Sequence, residues 1–179
     1  ECFASPLNCS LPRYCSAFLD VDGPFGSLGS FFALQPAEGS FEANPPFVPE
    51  TLLAAVEHAH ALLGRADGAG RALSFLFIVP AWTQLAFHRA LVDSPWRRGP
   101  PLELTAEEHG FVDGAQHAKA PAERLRASSF GTTIAALQSG AGARRWPLDA
   151  ALLGRLRGAL CATPPGRVDA GGRREGGGG

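Results

Sequence analysis

Methionine is absent from this 179-residue chain, and lysine and tyrosine occur once each, as Lys119 and Tyr14. With no start codon and with Glu1 opening straight into an apolar segment, the chain is expected to be a fragment of a longer protein. No hydrophobic run reaches the roughly 20 residues that a membrane-spanning helix needs, and no signal peptide is visible. An excess of one charge sign is missing too. The net charge of −1 excludes a global field that would draw in nucleic acid. Cysteine is sparse: Cys2, Cys9, Cys15 and Cys161 fit no zinc-ligand spacing. Three of the thiols are clustered, and in an α/β-looking chain they read as reduced, mostly buried groups of an intracellular protein.

What is abundant is Gly (22), Pro (15), Ala and Arg, a bias that reads as a GC-rich genome. The length suffices for one domain with a sizeable core. One stretch concentrates chemistry: Ser40-Phe41-Glu42-Ala43-Asn44-Pro45-Pro46-Phe47. An exocyclic base amine is a poor nucleophile because its lone pair is spread into the ring. The Asn44 side-chain oxygen and a prolyl carbonyl can each accept one of its N–H bonds and turn the lone pair toward an electrophile. Pro45 and Pro46 keep the backbone extended and remove two donors, so carbonyls stay free to point at a substrate. Phe47 offers a flat face, and base–aromatic stacking contributes roughly 1–3 kcal/mol. The set suits methyl transfer from a sulfonium donor to an adenine amine. On its own the tetrapeptide is equally a proline turn feeding a helix. Its surroundings favour a site, since a helix follows at once and an apolar strand follows the helix.

Along the chain, Glu1 to Leu7 reads as a strand ending in the turn Ala4-Ser5-Pro6-Leu7-Asn8. Ser5 and Asn8 are candidate cofactor contacts there, with ordinary turn chemistry the more natural account of both. The stretch from Phe18 to Gly29 mimics a Gly-rich cofactor loop. Pro24 and the close glycines weaken any following helix, and the Asn-Pro-Pro-Phe run comes too soon for a crossover, so a structured loop is expected. Ser40 to Ala43 predicts a short strand that delivers Asn44 to a sheet edge. Leu52, Val56, Ala59 and Leu63 recur at helical spacing and predict a helix from Pro49 to Leu63, closed by Gly64. His58 and His60, two apart, do not share a helix face, so no metal pair is expected. Leu73 to Val79 predicts a central strand ending before Trp82, which is placed to stack on a ligand.

Residues 83–101 read as irregular. Leu102-Glu103-Leu104 reads as the start of a strand, and the run from Glu108 through Gly114 to His117 as a loop or hairpin. His117 has the look of a general base but, standing alone, reads better as structural. Thr132 to Leu137 predicts another strand and Leu148 to Leu160 a last helix. Residues 1–165 are expected to form one catalytic domain, and Gly166 to Gly179 a disordered Gly/Arg-rich tail.

Several blocks, in order, resemble the catalytic domain of the phosphorylated CTD-interacting factor family of cap-specific adenosine N(6)-methyltransferases. They are Glu1 to Cys9, Tyr14 to Phe18, Asp22-Gly23 with Phe25-Gly26-Ser27, Gly39 to Phe47, and Leu73-Ser74-Phe75 through Pro80 and Trp82. Scattered matches follow at Glu108-His109, Gly114, Gln116-His117, Leu137-Gln138 and Trp146-Pro147, so the likeness spans roughly residues 1–150. The resemblance implies an α/β fold, a Rossmann-like class I methyltransferase that is truncated at its N-terminal side. It implies S-adenosyl-L-methionine as cofactor and, as product, the N(6)-methylated form of the 2′-O-methyladenosine beside the mRNA cap. Carried over, Asn44, Pro45, Pro46 and Phe47 are catalytic and adenine-binding, with Asn44 and Pro45 also touching cofactor. Trp82 and Glu50 join Phe47 in substrate binding. The resemblance further implies a nuclear location, the capped mRNA 5′ end as partner, and contact with the phosphorylated RNA polymerase II C-terminal domain. A WW domain for that contact, a helical domain and the first cofactor-binding strand are expected outside this chain.

This chain departs from the family where Val48-Pro49 separate the motif from Glu50, and where Ala81 precedes Trp82 in place of an acid. The alternatives are a related methyltransferase acting on other RNA, on DNA or on a protein glutamine, and a non-catalytic binding module on the same scaffold.

Overall fold

The computed structural model of the chain describes residues 1–112, 120 and 125–161. The order of elements is α1 (Leu19–Asp22), two 3-10 turns (Gly23–Phe25 and Phe31–Ala33), β1 (Gly39–Ala43), α2 (Pro49–Gly68), β2 (Leu73–Pro80) and α3 (Ala86–Val92). Then come β3 (Arg97–Leu104), β4 (Gly110–Val112), β5 (Leu125–Ala127), β6 (Thr132–Gln138), α4 (Gly140–Arg145) and α5 (Ala150–Cys161). The class is mixed α/β. Four strands form one sheet in the order β1-β2-β6-β3, and β4 pairs with β5 in a separate two-stranded ladder. β1 and β2 run parallel, joined by α2, while β6 runs antiparallel to both β2 and β3. No described helix is long and apolar enough to cross a membrane.

The core sits between α2 and the sheet. Leu52, Ala55, Val56, Ala59, Leu62 and Leu63 recur on one helical stripe and are buried. They meet Leu73, Phe75, Phe77 and Val79 of β2, which lies between β1 and β6 and is buried on both faces. Burying one such Leu or Phe side chain contributes about 1.5–3 kcal/mol, so this contact is the main stabilising term that holds α2 to the sheet. Pro49 opens α2, where its missing N–H costs nothing, and Glu50 complements the dipole of the first turn.

The helix does not stop at Gly64. It continues to Gly68, because the backbone stop is Gly70 at φ +65. Gly70 N–H bonds the Asp67 carbonyl at 2.9 Å and Arg71 N–H bonds the Ala66 carbonyl at 2.8 Å, the paired bonds of a Schellman ending.

Three further expectations are corrected. Residues 1–7 form no strand. Pro6 has no donor for a ladder, and the Ser5 N–H bonds the Asn8 side-chain oxygen at 2.7 Å, which closes a turn. Residues 83–101 are not irregular but hold α3 and most of β3, and Leu102 to Leu104 end that strand rather than begin it. The Gly99-Pro100-Pro101 break inside β3 is absorbed by a bulge between Arg98 and Leu102, which an edge strand tolerates.

The strands expected at Ser40 to Ala43, Leu73 to Val79 and Thr132 to Leu137 are present within one residue of their expected ends. The last helix starts at Ala150 rather than Leu148, with the Asp149 carboxylate accepting from Leu152 N–H. Gly114, Gln116, His117 and the tail from Gly166 lie outside the described residues.

A candidate active site where the parallel strands end

The parallel register sets Ala43 opposite Phe77. Asn44 follows β1 directly and Trp82 follows β2 by two residues, so both leave the sheet on the same edge. β6 starts on that edge as well, with Thr132 opposite Pro80. This is the edge where open α/β sheets place ligands.

Here the motif takes its shape. Both prolyl peptide bonds are trans. Pro45 is buried and Pro46 exposed. Val48 N–H donates to the Pro46 carbonyl at 2.7 Å. Among the described residues the Pro45 carbonyl has no partner, so it is the free acceptor beside Asn44.

Asn44 lines two adjoining cavities. One, of about 410 Å³, is walled by the Cys2 to Ser5 segment, Asn8, Ser16, Phe31 and Thr51, with Pro46 at its side. The other, of about 380 Å³, is walled by Glu42, His109, Phe111, Thr132 and Leu104. Phe3, Ala4, Asn8 and Asn44 border both.

Phe47 sits half-buried in an aromatic group. Its ring meets Phe130 at 5.5 Å, Phe111 at 5.6 Å and Trp82 at 6.4 Å, each edge to face. Trp82 also meets Phe130 at 5.8 Å and Phe87 at 6.3 Å. Phe47 and Trp82 thus share one aromatic group, Asn44 lines both cavities and Pro46 the larger one, while Pro45, Phe47 and Trp82 line neither; Phe111 joins the aromatic group to the smaller cavity. Ser5 and Asn8 reach the larger cavity, although the Ser5 hydroxyl also bonds the Asn8 side-chain oxygen at 3.0 Å. Glu50 stands apart, exposed in the first turn of α2 and lining neither cavity. Of the other acids, Asp20 and Asp22 lie on exposed α1, and Glu108 bonds Thr105 N–H at 2.7 Å and pairs with Arg157. Both contacts favour its charged form and hold its carboxyl below the usual range, the Thr105 bond first.

The sequence reading missed Phe111, Phe130, His109, Thr132 and Glu42 as site residues. His109 is the organiser of this side. Its Nδ1 faces the Thr105 carbonyl at 2.7 Å, an acceptor only, so Nδ1 carries the proton and Nε2 accepts from the Thr132 hydroxyl at 2.8 Å. Its ring packs edge-on to Phe111 at 5.3 Å. On the opposite face of β6, Thr133 donates to Glu103 at 2.7 Å and accepts from His88 Nε2 at 2.9 Å. His58 and His60 go to separate partners, the Leu34 carbonyl and the Ser94 hydroxyl. Among the described residues no cluster of ligating side chains forms a metal site.

Burial pushes the Glu42 carboxyl up to about 7. The Glu1 carboxylate adds to the rise. Burial likewise raises the Cys2 and Cys15 thiols and keeps them protonated. All four cysteines are free, two of them buried.

A family model described as "Phosphorylated CTD interacting factor 1 WW domain" matches residues 1–114. The chain belongs to the phosphorylated CTD interacting factor 1 family. Two relatives are similar over 149 residues, 82% of this chain. Both are named mRNA (2′-O-methyladenosine-N(6)-)-methyltransferase, one from Mus musculus at 41% identity and one from Homo sapiens at 40%. The chain spans about a fifth of the length of these relatives, 20% in each case. The expectation that the WW region lies outside this chain is not supported, because the model bearing that description matches inside it. In this family member the matched stretch holds β1, α2 and β2, an α/β unit with a parallel strand pair.

Proposed function

We propose that this chain supplies the catalytic centre of an S-adenosyl-L-methionine-dependent RNA adenosine N(6)-methyltransferase. Its substrate is the 2′-O-methyladenosine beside the mRNA cap. The observation that carries this reading is the position of Asn44. It lines both cavities and is followed in the chain by the Pro45 carbonyl, which has no partner among the described residues. A two-substrate reaction needs two compartments that meet at the transfer point. The names of the relatives give the reaction class.

The larger cavity fits the cofactor. Ser5, Ser16, Asn8 and Thr51 offer polar contacts, and Phe31 with Phe32 offers apolar cover for a nucleoside. When bound there, the cofactor supplies an electrophilic methyl group on sulfur. The protein's residues orient the acceptor. The Asn44 side-chain oxygen and the Pro45 carbonyl each accept one amine hydrogen, which fixes the lone pair toward the larger cavity. Phe47 stacks on the base, and Phe111, Phe130 and Trp82 hold Phe47 upright. Positioning and fixed dipoles, rather than proton abstraction before transfer, carry the rate. A 5′-terminal nucleotide is unpaired, so no duplex has to be opened.

On this reading residues 1–165 act as one unit of a Rossmann-like class I fold, with β1–α2–β2 as its parallel core. Trp82 lies toward the cap, Glu50 acts as a peripheral acidic contact, and the protein works in the nucleus beside the phosphorylated polymerase C-terminal domain. The test is methyl transfer by the full-length protein with labelled S-adenosyl-L-methionine. The RNAs would differ only in cap and first nucleotide. Label on capped, adenosine-initiated RNA alone is expected. Label on uncapped RNA would remove the cap assignment, and no transfer at all would remove the enzyme.

A further inference from the structure

Glu42 is the penultimate residue of β1 and stands two residues before Asn44, which follows the strand. Both line the smaller cavity. The titratable groups around Glu42 are Glu1, Cys2 and His109. Each of these is otherwise committed. The Glu1 carboxylate accepts from Ser10 N–H at 3.0 and 3.1 Å. His109 has both nitrogens engaged, and the Cys2 thiol is buried and protonated. Among the described residues the Glu42 carboxyl has no hydrogen-bond partner, and no lysine or arginine lines the cavity to hold it charged.

We infer that Glu42 is the catalytic proton acceptor, taking up the proton that the adenine amine loses as it is methylated. This role rests on the reading of the site as an N(6)-methyltransferase. Forming the new N–C bond builds positive charge on the nitrogen, which carries two hydrogens. As that charge develops, one N–H bond breaks in the same step and its electron pair returns to nitrogen. The proton joins the Glu42 carboxylate as a neutral acid and passes on to water. Asn44 and Pro45 accept hydrogen bonds but are far too weakly basic to keep a proton. A carboxyl raised toward neutrality by burial has the basicity the step needs near pH 7.

The experiment compares full-length wild type with Glu42→Gln and Glu42→Asp. Single-turnover methylation of capped adenosine RNA is followed between pH 5.5 and 9, beside calorimetric affinity for S-adenosylhomocysteine. The carboxylate is the working form. The wild-type rate is therefore expected to rise with pH through a limb near 7, and to level off above it. Glu42→Gln is expected to lose that limb and about a hundredfold in rate. It should keep its affinity for S-adenosylhomocysteine, which shows that it folds. Glu42→Asp should recover part of the rate with a shifted limb. Infrared difference spectra should show a protonated carboxyl that titrates near 7 in wild type and is missing from Glu42→Gln. An unchanged limb or a rate within threefold of wild type in Glu42→Gln would overturn the role of Glu42 and leave the methyltransferase reading intact. Failure of wild type to transfer methyl would sink both.

Discussion

Removing the face of Phe47 separates the base stacking proposed for the ring from its packing in the aromatic group. In the proposed site its flat side stacks on a base, and the ring meets Phe130, Phe111 and Trp82 edge to face at 5.5, 5.6 and 6.4 Å. Base stacking contributes about 1–3 kcal/mol, which corresponds to roughly a 5- to 150-fold change in KM if ground and transition states are held alike. Each edge contact contributes about 0.5–1.5 kcal/mol beyond area burial, so losing three also loosens the group that orients the base. Phe47→Leu fills most of the volume without a π face and should raise KM for adenosine RNA by about tenfold or more, with a smaller effect on kcat. Phe47→Ala removes the packing too and should lower kcat as well, because the acceptor pair then meets a mobile base. Phe47→Tyr keeps the face and should stay within a few-fold of wild type. Steady-state transfer by the full-length protein, with RNA varied at saturating cofactor, measures all three. A Phe47→Leu protein with wild-type KM and kcat would refute stacking on this ring.

Asn44→Ala removes one of the two amine acceptors and should cut turnover by about 10²–10³, with far-UV circular dichroism unchanged. Trp82→Ala should raise KM for capped RNA more than for uncapped RNA; equal changes would place Trp82 outside cap recognition. The Ser139 hydroxyl accepts from Leu73 N–H at 3.1 Å and Gly142 N–H at 3.0 Å and donates to the Arg71 carbonyl at 2.8 Å. Ser139→Ala strips a helix cap and orphans a buried strand donor, which costs about 2–4 kcal/mol locally, so amide exchange at Leu73 and Gly142 should quicken by at least tenfold. Iodoacetamide at neutral pH should label half-exposed Cys9 well before buried Cys2 and Cys15, as followed by peptide mass mapping.

Much of the scaffold was legible because its signals are local. The Asn44 to Phe47 run, the proline that opens α2 and the continuous apolar run of β2 are each readable within one short window. The helix end was misjudged because Gly64 looks like a stop in sequence, while the stop is a backbone conformation at Gly70. α3 escaped notice because it has seven residues, a leucine at its N-cap position with no capping bond, and too few turns to show a period. β3 was hidden by its Gly-Pro-Pro break, which only an edge position permits. The site was half legible. Phe111 and Phe130 reach Phe47 from more than sixty residues away, and neither a Phe in a three-residue strand nor one just before a strand has a pattern of its own. Glu42 was quoted as part of the motif, yet its carboxyl acquires meaning only from the burial and the unpaired surroundings that folding creates.

The two threonines that open β6 act together as a register lock. Thr132 points to His109 on the site's side and Thr133 to His88 and Glu103 on the other. A slip of one residue would turn each hydroxyl to the wrong face. Both histidines would then lose their partners at once, and each orphaned buried group would cost about 1–3 kcal/mol. β6 therefore has one favourable alignment against β2 and β3, and the distance from Phe130 to Phe47 is set by a pair of hydroxyls rather than by the aromatic rings themselves.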